Sequence, residues 1–277
     1  MITSDHIDSN GGSISYRYLD TGEPWGKDGS IPVVFQHGLG LNANVWLPWF
    51  KTLAAHHPIV TIDLRGHGGS ALSWTKDDYS LDDIAKDITA VLDHLGIPVC
   101  HFVGESFGGT VGLHLAAKES HRFASVVSCS TGIYGQWLTN VQQWPNLVVE
   151  KGIIPWSDEL MQGRFFPDSV DVSLVRWVEK TQQTLSPKVV AGIVRCLLGT
   201  DLRPELKGLK TPLLIISPEA SPYVDLRSAQ ALQELVPLAE TVFFPDARHG
   251  VIMSHWRECS AAVMEFLARI EKRRAIL

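Results

Sequence analysis

The stretch that decides the fold is Gly104-Glu105-Ser106-Phe107-Gly108-Gly109. It follows an apolar, β-prone run, Cys100 to Val103, and opens a helical pattern, Ser106 to Lys118, with small residues near its start. A Gly-x-Ser-x-Gly pentapeptide alone carries little weight, because small residues cluster by chance. Between a strand and a helix it is the pattern of a sharp, strained turn that projects a serine from the top of a sheet. The flanking glycines let strand and helix approach without Cβ clashes. Ser106 is therefore the candidate nucleophile.

Outward from the turn, short apolar runs alternate with helical patterns. Toward the N-terminus lie Ile31 to Gln36 and Ile59 to Asp63, then a helix over 80–95 with Ser80 as its cap and Gly96 as its stop. Toward the C-terminus lie the runs 123–129, 211–216 and 240–244, a helix from about Asp225 to Leu235, and a final helix from about Trp256 to Ile270. The runs are continuously apolar, as in a parallel sheet covered on both faces. Residues 2–8 and 13–19 flank Asn10-Gly11-Gly12 and read as an N-terminal hairpin, and Gly22 to Ser30 reads as a loop. The expected class is α/β, with a mostly parallel, doubly wound sheet. The alternation breaks between about 131 and 200, where helical periodicity and Trp137, Trp144, Trp156 and Trp177 suggest a cap. The expected organisation is a core of 1–130 and 201–277 with a helical cap insertion, 131–200.

A serine hydroxyl needs a base. His249 follows the last expected strand and precedes the final helix, on a loop at the same sheet edge as Ser106. The other histidines fall in helices, strands or loops that fit less well. His37-Gly38-Leu39-Gly40 follows a strand and offers backbone for an oxyanion hole, the N–H of Leu39 pairing with that of Phe107. His37 reads as a structural histidine ordering this loop. Trp46, soon after, is a candidate lining residue of the pocket. Arg164 and Arg176 are candidates to neutralise a substrate carboxylate, exposure being the blander reading of both.

The order of His37-Gly38, Asp63-Leu64-Arg65-Gly66-His67-Gly68-Gly69-Ser70, the serine turn and a late His249-Gly250 resembles the α/β-hydrolase superfamily over essentially the whole chain. With Arg164-Phe165-Phe166-Pro167, the later part looks most like 3-oxoadipate enol-lactonases and related small lactonases and esterases. The resemblance implies a serine hydrolase that cleaves a small ester or lactone through an acyl-enzyme, without metal or organic cofactor. It also implies an aspartate after the strand near 216, in the pattern strand, glycine, two residues, aspartate. Here Pro218 stands at the glycine position and Ser221 at the aspartate position. The alternative loop, Ser128 to Thr131, holds no carboxylate. Glu219 is the favoured substitute acid. Asp225 is a second candidate that reads also as a helix cap, and a dyad without an acid is a third reading. The missing aspartate keeps other functions in view: carbon–carbon bond hydrolysis of aromatic breakdown products, cofactor-free oxygenation, or a non-catalytic receptor.

Composition bounds the partners. A chain of 277 residues, 45% hydrophobic, builds a sizeable core, and a net charge of −6 argues against nucleic-acid or anionic-membrane binding. No apolar run reaches the ~20 residues of a membrane span, and no signal peptide is visible. Four widely spaced cysteines suit neither a disulfide framework nor a metal cluster. A cytoplasmic enzyme, monomer or homodimer, acting on a small molecule is expected.

Overall fold

In the computed structural model, residues 2–9, 11–21, 30–70 and 79–275 are described. Most of the loop read at Gly22 to Ser30 lies outside these residues, as does Asn10 of the hairpin turn. Eight strands form one sheet in the order β1-β2-β4-β3-β5-β6-β7-β8. They are β1 (Ile2–Ser9), β2 (Gly12–Leu19), β3 (Val33–Gln36), β4 (Ile59–Ile62), β5 (Cys100–Glu105), β6 (Phe123–Cys129), β7 (Leu213–Pro218) and β8 (Ala239–Phe244). β1 and β2 pair antiparallel as a hairpin, and β2 joins β4 antiparallel. From β4 to β8 every pairing is parallel.

The central strands explain the unbroken apolar runs. Every residue of β3, β5 and β6 is buried. Alternate side chains of a strand point to opposite faces. Val34 accordingly joins one apolar cluster with Ile88 and Val91 of the helix Leu81–His94. Val33 and Phe35 join another with Leu267 and Val263 of the helix Trp256–Arg274. Helices thus cover both faces, and each fully buried aliphatic or aromatic side chain contributes roughly 1.5–3 kcal/mol relative to exposure. The helix Leu81–His94 is capped as its sequence suggests, the Ser80 hydroxyl oxygen accepting from the Asp83 backbone N–H at 3.1 Å.

Between β6 and β7 lie four helices of eight or more residues, Trp144–Lys151, Ile153–Arg164, Val172–Gln183 and Pro187–Leu198, followed by the single turn Arg203–Leu206. They stand above the C-terminal ends of the parallel strands, where ligands bind in open α/β sheets. Among the described residues no helix is long and apolar enough to cross a membrane.

Candidate active site

Ser106 sits between β5 and the helix Phe107–Lys118 with φ 51° and ψ −117°, a conformation that L-residues rarely adopt. The turn is held because its neighbours leave no room to relax. A Cβ on Gly108 would stand 2.4 Å from the Gln36 carbonyl oxygen, and one on Gly104 would stand 2.5 Å from that of Gly108. The Ser106 N–H donates to the Cys129 carbonyl at 2.8 Å, anchoring the turn to β6. Phe107 is the first residue of its helix, so its backbone N–H has no partner within it. Among the described residues the Leu39 N–H is also without a hydrogen-bond partner. Two unpaired N–H groups therefore flank the serine.

The His37-Gly38 loop that carries Leu39 is ordered from below. His37 Nδ1 donates to the Gly38 carbonyl at 2.8 Å, and its Nε2 accepts from the Leu64 N–H at 2.9 Å. Those two bonds fix one neutral tautomer. Burial agrees with that, lowering the His37 pKa to about 4. The Asp63 carboxylate accepts from the Ala43 and Gly69 N–H groups at 2.7 and 2.9 Å. His37 is structural, as its place in the sequence suggests.

His249 lies at the C-terminal end of the sheet, with Nε2 3.1 Å from Ser106 Oγ. Its loop is tied down by the Ser130 hydroxyl, which donates to the His249 carbonyl at 3.0 Å. Its Nδ1 stands 3.2 Å from Ser221 Oγ. Ser221 therefore occupies the place where the sequence pattern anticipates an aspartate. For Nε2 to accept the Ser106 proton, Nδ1 must carry hydrogen and donate to Ser221. A hydroxyl can serve as that acceptor, but it brings no charge.

Glu219 does not take the role. Its side chain is exposed, and its backbone N–H is bound to the Phe244 carbonyl at 3.0 Å. β7 runs on through Ser217 and Pro218, so the loop turns later than expected and brings Ser221, rather than Glu219, to the imidazole. Asp225 accepts from the Arg227 backbone N–H at 2.8 Å and pairs with its guanidinium at 3.0 Å. It is a helix cap. Trp46 likewise does not line the pocket. It is fully buried in the core, its ring 4.8 Å from that of Phe35 and 5.2 Å from that of Trp49.

A carboxylate does stand at the centre, from a position the sequence reading passed over. Glu105, the residue before Ser106, is fully buried. Its Oε2 accepts from the Gly38 N–H at 2.9 Å, and its Oε1 lies 3.9 Å from His249 Nε2 and 4.0 Å from Arg164 Nη1. Burial raises the Glu105 pKa to about 7, against the opposing pull of Arg164. Arg164 is 1% exposed, against the expectation of a surface arginine, while Arg176 is exposed. Arg164 donates to the Leu39 carbonyl at 3.3 Å, and among the described residues its Nε and Nη1 have no hydrogen-bond partner. Burial, then the nearby Arg164 charge, lowers the His249 pKa to about 3, so the imidazole is neutral and free to accept a proton.

These groups open on a cavity lined by Leu39, Ser106, Leu138, Val141, Trp144, Leu160, Arg164, Val194, Leu197, Tyr223, Val224 and His249. Trp144 is the one tryptophan on it. Tyr223, also missed in the sequence, packs edge-on against the imidazole with ring centroids 5.4 Å apart. Glu105 carried a signal that was readable, since an acidic residue inside a buried turn is unusual. Tyr223 carried none.

The family described as the α/β hydrolase fold matches residues 31–255, the span that holds every one of these groups. The chain belongs to the α/β-hydrolase fold family. Among proteins of this family, 3-oxoadipate enol-lactonase 2 of Acinetobacter baylyi is 30% identical over 208 residues, 73% of this chain and 76% of that one. A pimeloyl-[acyl-carrier protein] methyl ester esterase of Aeromonas salmonicida is 27% identical over 251 residues, 85% of this chain and 94% of that one. The crystal structure of the enol-lactonase from Burkholderia xenovorans superposes with a TM-score of 0.86 at 24% identity, covering 95% of this chain and 100% of that one. That last likeness speaks for the fold.

Proposed function

We propose that this α/β-hydrolase-fold chain hydrolyses a small ester or lactone through an acyl-enzyme on Ser106. The observation that carries the reading is the 3.1 Å approach of His249 Nε2 to Ser106 Oγ at the wall of the cavity. Ser106 Oγ attacks the carbonyl carbon as its proton passes to His249 Nε2. The oxyanion is held by the N–H groups of Leu39 and Phe107. Collapse expels the alkoxide or enolate, which takes the proton back from His249. Water then attacks the acyl-enzyme with His249 again as base, releasing the carboxylic acid and Ser106. The relatives whose names specify an enol-lactone or a methyl ester support this class of bond.

The mainly apolar wall suits a small acyl chain. Arg164 adds two buried nitrogens, Nε and Nη1, that make no hydrogen bond among the described residues, which suit an acceptor or carboxylate on the substrate. Arg164→Gln is expected to raise KM for carboxylate-bearing esters about tenfold or more relative to neutral esters of the same size, measured as the ratio of kcat/KM values. An equal loss on both would remove the anchor from the reading.

The imidazolium formed in the transition state has no carboxylate at Nδ1, so the Glu105 charge 3.9 Å from Nε2 is its nearest compensation. At an effective dielectric of 20, unit charges at that distance attract by roughly 4 kcal/mol. Glu105 ionises through about pH 7, so kcat is expected to rise several-fold across that pH. In Glu105→Gln that limb should vanish. The linked stability runs the other way. The folded pKa lies above the ordinary value of 4.5, so this group's contribution is full below pH 4.5 and lost as pH rises through about 7. Denaturant midpoints of the two proteins at pH 5 and pH 8 check the sign.

The reading as a whole is tested with a fluorophosphonate probe and a panel of p-nitrophenyl esters and small lactones. Labelling confined to Ser106, with turnover of at least one class, is expected. Inertness to both probe and panel would leave the chain a binding protein on this fold.

A further inference from the structure

At the opposite end of the sheet from Ser106 lies a second group of polar side chains that the catalytic reading does not use. His57 stands two residues before β4, His101 is the second residue of β5, and Glu271 projects from the helix Trp256–Arg274. His57 and His101 are 4% and 0% exposed, and the Glu271 side chain is 34% exposed. Glu271 Oε1 lies 3.6 Å from His57 Nδ1 and 3.6 Å from His101 Nε2, and the three atoms all lie within 4.8 Å of one another.

Those contacts are ion pairs longer than hydrogen bonds of good geometry. His101 Nε2 and Glu271 Oε1 are buried atoms that, among the described residues, make no hydrogen bond of ordinary length and meet each other only at 3.6 Å. His101 Nδ1 is engaged by Ser125 Oγ at 2.7 Å, which orients the ring and aims Nε2 at the carboxylate oxygen. Leaving such atoms unpaired is costly unless something lies between them.

We propose that His57, His101 and Glu271 bind a zinc ion that fastens the C-terminal helix to the N-terminal end of the sheet. Two imidazoles and one carboxylate are a zinc donor set, and ligands about 2.1 Å from a tetrahedral ion stand about 3.4 Å apart. The 3.6 Å spacings need only a small inward movement. Ser125 supplies the outer hydrogen bond that ligating histidines ordinarily have. His57 Nδ1 now donates to the Ile31 carbonyl at 3.0 Å. On binding, its proton moves to Nε2 and the Nδ1 lone pair turns to the metal, with no change in net protonation. The partial exposure of Glu271 gives the ion an entry path. The site is structural, because His101 and Ser106 lie at opposite ends of β5, on the order of 16 Å apart along the strand.

The test uses the full chain, dialysed against a chelator and then titrated with zinc chloride by calorimetry, with cobalt(II) as a visible-absorption probe of tetrahedral nitrogen–oxygen ligation. One equivalent of zinc is expected, with Tm raised by about 5 °C or more at hundredfold excess over Kd. Glu271→Gln, at a partly exposed position, should weaken binding about 100-fold or more and abolish the cobalt spectrum. His57→Gln should do the same if its partner variant folds poorly. Less than one equivalent in the wild type, or unaltered zinc affinity in both variants, would overturn the assignment and place any zinc on surface histidines.

Discussion

Ser106→Ala should lower kcat on the best p-nitrophenyl ester by about 10⁴-fold or more while leaving the fold intact. In the proposed reaction the oxygen it deletes forms the acyl bond, and among the described residues no other hydroxyl stands at hydrogen-bond distance from His249 Nε2. In serine hydrolases that work this way, removing the nucleophile costs as much as removing the whole set of catalytic side chains, and the remainder comes from the oxyanion hole and binding. The turn should survive, because it is kept by backbone. Alanine keeps the Ser106 N–H bond to Cys129 and the glycine contacts with β3. Alanine carries the same Cβ as serine, so the φ of 51° is no more strained than before. Circular dichroism and Tm should therefore match the wild type. A variant that keeps more than about a tenth of the activity would move the nucleophile elsewhere.

The second large effect should be a gain. Ser221→Asp is expected to raise kcat by about ten- to a thousandfold near pH 8. Ser221 Oγ already stands 3.2 Å from His249 Nδ1, so a carboxylate grown from the same Cβ needs no new backbone path. It would stabilise the imidazolium and fix the Nδ1–H tautomer. Neutralising the corresponding aspartate in a serine protease costs about 10⁴-fold. The gain here is set lower for two reasons. Glu105 already supplies part of the compensating charge, and the new carboxylate must be desolvated at a half-buried position. The His249 pKa, held at about 3 by burial and Arg164, should also rise toward the ordinary value. The acid limb of the rate profile would then move up in pH, which a serine-to-aspartate change acting only on folding would not produce. An unchanged rate with a preserved fold would mean that proton transfer does not limit turnover on the ester used.

The two effects separate what the chain's parts reveal. Ser106, Leu39 and Phe107 stand on local patterns: a strand, a glycine turn, the start of a helix. They are legible because the strand, glycine turn and helix start are adjacent in sequence, although the contacts that hold them, Ser106 to Cys129 and Gly108 against Gln36, are long-range. His249 is legible from element order, since parallel strands send their following loops to one edge. The choice between Glu219 and Ser221 is not legible. It depends on how far β7 pairs with β8 before the chain turns, which two residues of extra strand decide.

By itself, then, the amino-acid sequence determined the layered α/β architecture and pointed to Ser106 on its turn and His249 on its loop, because each is written in short-range patterning or in the order of elements. Only the tertiary structure decided that the histidine's outer nitrogen meets a serine hydroxyl, that Glu105 and Arg164 share a buried pocket beside it, and that Trp46 packs the core instead of the cavity. Arg164 is 59 residues from Glu105 in sequence and 4.0 Å from it in space. Their proximity arises from the docking of the helix Ile153–Arg164 over the strand ends. No local preference encodes that contact, because it is the sum of apolar packing between elements far apart in the chain.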